Sequence, residues 1–127
     1  MTDDLTAKKV GSGAVAVFAT PMMIALMEKT CLQSVKPHLE EGQDTVGTRV
    51  DVSHSAATRV GMTVRCESEL VEIDRRRLVF RVTARDDAGV IGVGMLVRFV
   101  IDVEKFQAKV RTRMHSQDGI HETSKFS

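Results

Sequence analysis

The sequence predicts an α+β fold in which one long helix packs against an antiparallel sheet. Apolar residues first recur every three to four positions, over about residues 20–36, and then every second position from residue 46 to residue 101. The first period is that of an amphipathic helix, and the second is that of strands with one buried face. Because the strands follow one another after the helix, hairpin turns are expected to join them, which makes the sheet antiparallel.

The composition is typical of one globular domain. The chain has 127 residues, of which 43% are hydrophobic and 28% are charged, and about 100–200 residues make one domain. Basic and acidic residues nearly balance, at 18 and 17, and aromatic residues are 4%, with neither Trp nor Tyr. A nucleic-acid-binding protein usually carries a basic excess and aromatic side chains on which bases stack. The composition therefore argues against nucleic acid as a partner.

The sequence shows neither a membrane span nor a secretion signal. No run approaches the ~18 apolar residues of a transmembrane helix, and residues 1–4 lack the basic and apolar character of a signal peptide. The two cysteines, Cys31 and Cys66, form no CxxC motif and suit a reducing compartment. We therefore expect a cytoplasmic protein without a membrane partner.

The helix is predicted to begin at Thr20 and Pro21. Threonine is a good N-cap, and proline at the first helical position loses no hydrogen bond, because the N–H at that position has no helical partner. Pro37 is expected to end the helix after about 14–18 residues. One apolar row with a spacing of four is expected to face the core: Met23, Met27, Cys31 and Val35.

Four strands are predicted after the helix. The first strand is predicted over residues 46–54, and the next two lie around residues 62–70 and 78–85. The last strand covers residues 90–101. The last strand is apolar on both faces, so it should lie at the centre of the sheet or in an interface. The first strand is predicted to place its even-numbered positions on the buried face: Val46, Thr48, Val50, Val52 and His54.

The domain is expected to cover residues 1–110. A short further strand around residues 5–10 has only weak support in the pattern. Residues 111–127 are mostly polar and are expected to form a flexible C-terminal tail.

Three polar residues stand out against these patterns. Glu28 lies four residues after Ile24 and four before Leu32, on the apolar side of the helix. His54 lies on the apolar face of the first strand, and Thr20 precedes Glu28 by about two helical turns. If that strand packs against the helix, a hydroxyl, a carboxylate and an imidazole converge at one end of the contact. These are the groups of general-base or nucleophilic hydrolysis.

Each of the three also has a purely structural interpretation. Thr20 could serve only as the helix N-cap, and Glu28 could lie on a solvated flank of the helix. His54 could bond a backbone carbonyl at the end of its strand. Only their joint placement favours a catalytic site.

The remaining candidates are weaker. Arg75–Arg77 is interpreted as a solvated hairpin tip with the chemistry to contact a phosphate. Gly92 and Gly94 do not lie between a strand and a helix, so they do not form a dinucleotide-binding loop. His115 and His121 have no metal-ligand spacing to other candidates. We therefore expect neither a metal site nor a cofactor.

Five segments of the chain match the pattern of one known family. The helix segment reads FATPMMIALME at residues 18–28, and the histidine segment reads VGT at 46–48 followed by HSAAT at 54–58. The shorter segments are GMTV at 61–64, RRL at 76–78 and VEKFQAKV at 103–110. Together they resemble hotdog-fold thioesterases of the fluoroacetyl-CoA thioesterase type, over about residues 17–110. The resemblance is specific because the helix and histidine segments occur in register.

The resemblance implies a hotdog fold, in which an antiparallel sheet wraps a long central helix. It also implies a homodimer whose sheets pair edge to edge, and two dimers could pair into a tetramer. The catalytic residues of the family fall on Thr20, Glu28 and His54. Its backbone-contact glycine falls on Gly47 and an arginine falls on Arg98, and both are assigned to substrate binding. The expected substrate is an acyl-CoA or a related thioester, whose pantetheine arm would enter along the dimer seam.

The implied reaction is hydrolysis of a small acyl thioester. Glu28 would activate water as a general base, or would itself attack the carbonyl to give a mixed anhydride. His54 would position or shuttle the proton, and Thr20 would hold the carboxylate or the water. Backbone N–H groups near Gly47 would stabilise the oxyanion. The alternative is a non-catalytic protein of the same fold that binds acyl-CoA or another small ligand.

The chain also departs from the family pattern. None of its first 17 residues is aromatic, whereas the family carries aromatic lid residues before the helix. Leu96 and Val97 stand where the family can carry a polar His-Glu pair. Both departures bear on fluoroacetyl selectivity and leave the acyl group open. The Asp-x4-His pair that resembles hydratases of this fold does not occur in the sequence.

Overall fold

The structure, a computed structural model, describes residues 1–11 and 16–116. The predicted α+β class is confirmed, because one long helix is followed by an antiparallel sheet. No helix in the described residues is long and apolar enough to cross a membrane. Two short 3-10 turns lie at Asp3–Leu5 and Lys36–His38. The helices are α1 (Ala7–Val10), α2 (Thr20–Val35) and α3 (Val103–Ser116), and the strands are β1 (Gln43–His54), β2 (Arg65–Asp74), β3 (Arg77–Asp86) and β4 (Gly89–Asp102).

The sheet has the strand order β1-β4-β3-β2, and all neighbouring strands are antiparallel. β4 therefore lies inside the sheet, as its two apolar faces predicted, and β1 and β2 form the edges. The predicted apolar row of α2 is buried against the sheet, and full burial of such a side chain contributes about 1.5–3 kcal/mol. The core combines Met23, Met27, Cys31 and Val35 of α2 with Phe80, Val82, Ile91 and Leu96 of the sheet.

The predicted N-cap of α2 is wrong by one residue. Ala19 has the extended backbone of a cap, and its carbonyl accepts the backbone N–H groups of Met22 and Met23 at 3.0 and 3.1 Å. Thr20 is thus the first helical residue, and no side chain caps the helix. Pro21 lies in the first turn, where its missing N–H costs nothing. The hydroxyl of Thr20 is therefore available to a partner outside the helix.

β1 contains a bulge at Thr48. Its pairing with β4 shifts between Gly47 and Arg49, which leaves Thr48 as an extra residue. A bulge of this kind adds one residue to one strand, so the alternation of faces changes by one position.

The bulge corrects the predicted face of β1. Val52 and His54 lie toward α2, as the even-numbered pattern predicted, because Val52 packs against the core and His54 contacts Thr20. Before the bulge it is an odd-numbered residue, Gly47, that faces α2. The predicted assignment of Val46 to this face is therefore wrong.

The N-terminal segment forms a helical turn instead of the weak strand predicted over residues 5–10. Thr6 caps α1, since its hydroxyl accepts the backbone N–H of Lys9 at 3.2 Å. Gly11 ends α1 with a φ of +80°, a left-handed conformation that glycine adopts without strain. Thr6 also forms an isolated antiparallel bridge to Phe18. These local hydrogen bonds favour the helical turn over the strand that the short alternation of apolar residues predicted.

α3 occupies the region where the domain was expected to end. It passes through residue 110, the predicted limit, and continues to residue 116. His115 thus falls within α3. Residues 117–127, including His121, lie outside the described residues, so the boundary at residue 110 and the flexible tail stay predictions.

Candidate active site

Thr20 and His54 contact each other where the start of α2 meets the end of β1. Thr20 Oγ1 and His54 Nδ1 share a hydrogen bond of 2.8 Å. The helix can present this hydroxyl because Ala19 is the cap, and β1 presents the ring from its last residue. A hydroxyl bonded to one ring nitrogen holds the imidazole in one orientation.

The imidazole of His54 has a packed edge and an unpaired second nitrogen. The ring of Phe18 meets it at 78°, with the ring centroids 6.3 Å apart. Nε2 is buried and has no hydrogen-bond partner among the described residues. Burial lowers the pKa of His54 below its usual 6.5, although a backbone hydrogen bond at Ala56 opposes part of that shift. The ring is therefore mostly neutral at pH 7, and one nitrogen is left for a substrate or a partner.

A cavity of about 300 Å³ opens beside the Thr20–His54 pair. Ligand pockets in proteins usually measure about 300–1,000 Å³, so this cavity suits a small group. Its lining combines three polar residues with small and apolar ones: Thr20, His54, Ser55, Ala7, Val17, Phe18, Ala56 and Ala57.

Glu28 lies at a different place, next to Gly47 and Arg98. A Cβ atom added to Gly47 would come within 2.7 Å of Glu28 Oε1, so glycine leaves the room that the carboxylate occupies. Arg98 Nη1 lies 3.9 Å from the same oxygen. The Glu28 side chain is 39% exposed and that of Arg98 is 9% exposed. The carboxylate is thus partly exposed, lies against β1 and has a buried cation beside it.

Arg98 is held by Thr45. Its Nε donates to Thr45 Oγ1 at 2.9 Å, and its Nη2 donates to the Thr45 carbonyl at 2.8 Å. Two of the three guanidinium nitrogens are therefore committed to Thr45, and the third faces Glu28. These contacts hold Arg98 beside the Glu28 carboxylate, and its predicted contact with substrate stays a prediction.

One chain brings together Thr20 and His54 but places Glu28 apart from them. Thr20 and Glu28 are eight residues apart in α2, or roughly 12 Å at ~1.5 Å per residue. Gly47, which touches Glu28, is six register steps from His54 in β1 once the bulge residue is left out, or roughly 20 Å at ~3.3 Å per residue. The predicted convergence of all three groups at one end of the helix is therefore not found within a single chain.

The contacts also decide among the structural interpretations. Thr20 is not a cap, and Nδ1 of His54 is bonded to the Thr20 hydroxyl, in addition to the backbone contact of the ring at Ala56. Glu28 does lie on a partly solvated flank, but with a guanidinium beside it. Phe18 and Thr45 are contributors that the sequence did not single out. Only the position of Phe18, just before the start of the helix, could have indicated from the sequence that it lies near the site.

The described residues offer no other reactive centre of the kinds considered. Among them no group of three His, Cys, Asp or Glu residues could hold a metal ion. Burial, followed by the nearby Cys66, raises the pKa of the Cys31 thiol to about 12. Cys31 therefore stays protonated at neutral pH and does not act as a nucleophile.

Two sequence comparisons relate the chain to thioesterases. The model of the fluoroacetyl-CoA-specific thioesterase family (FlK) matches residues 1–104. The fluoroacetyl-CoA thioesterase of Streptantibioticus cattleyicolor is 46% identical over 97 residues, which cover 76% of this chain and 70% of that protein.

Solved structures share the fold. A variant of the fluoroacetyl-CoA-specific thioesterase, solved with fluoroacetate and CoA, has a TM-score of 0.83 and 40% identity over 88% of this chain and 92% of its own. A hot-dog-like protein from Thermanaerovibrio acidaminovorans has a TM-score of 0.82 and 22% identity over 89% of this chain and 84% of its own. The predicted hotdog fold is therefore confirmed.

Proposed function

Since this chain belongs to the fluoroacetyl-CoA-specific thioesterase family, we propose that it hydrolyses an acyl-CoA thioester with Thr20, Glu28 and His54 as its catalytic residues. The hydrogen bond of 2.8 Å between Thr20 and His54 carries the proposal. The contact is not needed to cap α2, because Ala19 occupies the N-cap position, and it leaves the buried Nε2 of His54 available to a substrate.

A homodimer formed through β1 would complete the site. β1 is an edge strand of 12 residues, its residues 47–51 are exposed, and Val50 is 40% exposed. The outer edge of such a strand pairs readily with a second copy. We place the two-fold axis at Val50. Arg49 of each copy then lies opposite the partner's Asp51, which gives two symmetrical pairs of opposite charge.

This pairing would carry Glu28 of one chain to the Thr20–His54 pair of the other. Thr48 is the extra residue of the bulge and is left out of the pairing, so His54 lies opposite the partner's Thr45. His54 is then diagonal to the partner's Gly47, on the same face of the sheet. Diagonal residues of an antiparallel pair are about 7–8 Å apart, within reach of long side chains. Because Glu28 lies against Gly47 in each chain, each dimer would hold two sites that both chains build.

In this site Glu28 serves as the general base. It takes a proton from water while the water oxygen attacks the thioester carbonyl carbon, and the bond between carbon and sulfur then breaks. The protonated Glu28 returns the proton to the leaving thiolate, so the products are the carboxylic acid and CoA thiol. The alternative route, attack by Glu28 itself, predicts an acyl group on Glu28 that mass spectrometry would detect after an acid quench.

His54 and Gly47 stabilise the oxyanion in this mechanism. Thr20 donates to Nδ1, so Nε2 carries the remaining ring proton and donates it in a hydrogen bond to the carbonyl oxygen. A backbone N–H near Gly47 is the second donor. Removing one such donor typically costs about 10²–10³ in kcat.

Mixed dimers test both the residues and their distribution over two chains. Glu28→Ala and His54→Ala are each expected to lose about 10²-fold or more in kcat on short acyl-CoAs, measured by release of CoA thiol. Co-refolded in equal amounts, the two variants form heterodimers in which one of two sites is intact. Random mixing should therefore restore about one quarter of the wild-type activity.

The other outcomes of this experiment are equally informative. No recovery in the mixture would refute the shared site, and wild-type rates in both single variants would refute the catalytic assignment. Binding of acyl-CoA without release of thiol would identify a non-catalytic acyl-CoA-binding protein. The tetramer and the cytoplasmic location stay predictions.

A further inference from the structure

A cleft rich in basic side chains lies at one end of the sheet and takes no part in the hydrolytic step. It has two adjoining hollows of about 670 and 320 Å³, and Arg76 borders both. The turn between β2 and β3 forms the larger hollow, and the end of β4 with α3 forms most of the smaller one. We call it the basic cleft, and its cations are Arg75, Arg76, Arg77, Lys105 and Lys109.

The lining of the basic cleft carries an excess of positive charge. Its acidic residues are Asp74 and Asp102, against five cations. Asp102 Oδ1 accepts the backbone N–H of Lys105 at 3.2 Å, so that carboxylate is engaged by the start of α3. Arg77 pairs with Glu72 on the neighbouring strand. Cations gathered from two distant parts of the chain repel one another and attract an anion.

The turn holds one of these cations in an uncommon backbone conformation. Arg75 has a φ of +58°, and it is the one non-glycine residue with a positive φ in the described part of the chain. Glycine or asparagine adopts this left-handed conformation more easily than arginine does. The turn thus has an arginine at a position where glycine or asparagine would cost less backbone energy.

Each hollow also exposes a phenylalanine ring. Phe99 lines the larger hollow and is 36% exposed, and Phe106 lines the smaller hollow and is 37% exposed. Arginine and lysine bind phosphate groups, and an aromatic ring stacks on a nucleic-acid base. The basic cleft thus combines the contacts that an adenine nucleotide needs.

The smaller hollow lies within reach of the catalytic carboxylate. Val100 lines this hollow and is two residues beyond Arg98 on the same face of β4, or about 7 Å along the strand. Arg98 in turn faces Glu28 at 3.9 Å. The pantetheine arm of CoA spans about twelve bonds, the length of roughly four extended residues or about 14 Å. A thioester at Glu28 can therefore place its nucleotide end in the cleft.

We propose that the basic cleft binds the 3′-phosphorylated ADP end of CoA. Arg76, Lys105 and Lys109 contact the phosphates, and the adenine packs on Phe106. The proposal rests on the proposed thioesterase function and adds where the chain holds the carrier part of its substrate.

Calorimetry with CoA tests the cleft without any turnover. Lys109→Gln is expected to weaken CoA binding about fivefold, and Lys105→Gln combined with Lys109→Gln about tenfold or more. Arg111→Gln is the matched control, because it removes the same charge from a part of α3 outside the cleft. Adenosine 3′,5′-bisphosphate should compete with CoA. Equal CoA affinities in the Lys109 and Arg111 variants would overturn the proposal, whatever the activity of the enzyme.

Steady-state kinetics separate this proposal from the proposed function. The ratio of KM for a short acyl-CoA to KM for the same acyl-pantetheine, which lacks the nucleotide, is expected to rise about tenfold in the double lysine variant. An unchanged ratio would overturn the proposal while leaving the thioesterase function intact. A defect seen only with an acylated carrier protein would overturn it in favour of an acidic protein partner. If the wild-type protein hydrolyses no thioester, the proposed function fails and calorimetry alone decides the cleft.

Discussion

Thr20 is the residue whose environment says most about the chemistry. A threonine at the start of a helix usually caps it, but here Ala19 is the cap and the hydroxyl bonds His54 instead. The contribution of Thr20 is therefore separable from the stability of α2.

Thr20→Val is expected to lower kcat by roughly 10–100-fold, because it removes the hydroxyl that holds Nδ1 of His54. Thr20→Ser keeps the hydroxyl and should retain most of the activity. Both variants should melt within a few degrees of the wild type, since no cap is lost. Rates on short acyl-CoAs and thermal melts check this, and a Thr20→Val enzyme of wild-type rate would contradict the role of the hydroxyl.

The pKa of His54 makes stability depend on pH. Burial lowers its folded-state pKa below 6.5, so the unfolded chain binds a proton more readily than the folded chain. Stability therefore rises with pH between the two pKa values. The contribution of His54 is complete above about pH 6.5 and is lost as the pH falls toward the lower folded-state value. Melting temperatures should fall more steeply for the wild type than for His54→Gln between about pH 7.5 and 5.5, and parallel curves would refute this.

The sequence revealed the identities of the candidate residues but not their contacts. A carboxylate or an imidazole at a position that the period reserves for apolar side chains is visible in the sequence, and this marked Glu28 and His54. Whether Glu28 meets Thr20 depends on how α2 crosses β1 and on what covers the outer edge of β1. Neither property is local, so no pattern of spacing encodes it.

At the scale of secondary structure, the bulge in β1 is the feature that shapes the candidate site. It turns Gly47 toward α2, where the missing side chain makes room for Glu28. A regular strand would direct Val46 there, and its side chain would fill the space beside the carboxylate.

Gly47→Ala should displace the Glu28 carboxylate, because the new Cβ atom would lie 2.7 Å from Oε1. We expect kcat to fall by roughly 10–100-fold through loss of base alignment, with a smaller effect on stability since the carboxylate can swing toward solvent. Kinetics and thermal melts measure the two effects. A variant with normal kcat would show that Glu28 is not the base, or that Gly47 does not position it.

Elements with strong local signals were predicted well, and the others were not. The two prolines placed α2 to within a few residues, and the two apolar faces of β4 placed it inside the sheet. The bulge was not predicted, because valines recur at even positions through Val52, as they would in a regular strand. The helix α3 was not predicted, because its composition is mostly polar and the helical spacing of Phe106 and Val110 is a weak pattern. Their side chains remain 37% and 43% exposed.

At the scale of the whole molecule, β1 leaves one side of the sheet without a strand partner in the described part of the chain. The proposed dimer would cover this edge and supply the carboxylate that each Thr20–His54 pair lacks. In this proposal a large part of the site is beyond prediction from one chain, because it would depend on a register between two copies.

Val50→Cys tests that register directly. With the two-fold axis at Val50, the two new thiols would lie on Cα atoms about 4.5–5.5 Å apart, within the range for a disulfide. Mild oxidation should give a covalent dimer on a non-reducing gel. Ser53→Cys, on the same strand but away from the axis, is the matched control. Equal cross-linking of the two variants, or none in either, would refute the axis.

A long strand with one open side is also a risk, since any extended peptide could attach to it and seed aggregation. The order of charges along β1 offers protection. An approaching strand must run in reverse and present an acid where Arg49 stands and a base where Asp51 stands, and a second copy does both at once. The two charges would thus favour pairing with a second copy of this chain and disfavour pairing with strands that lack the complementary charges.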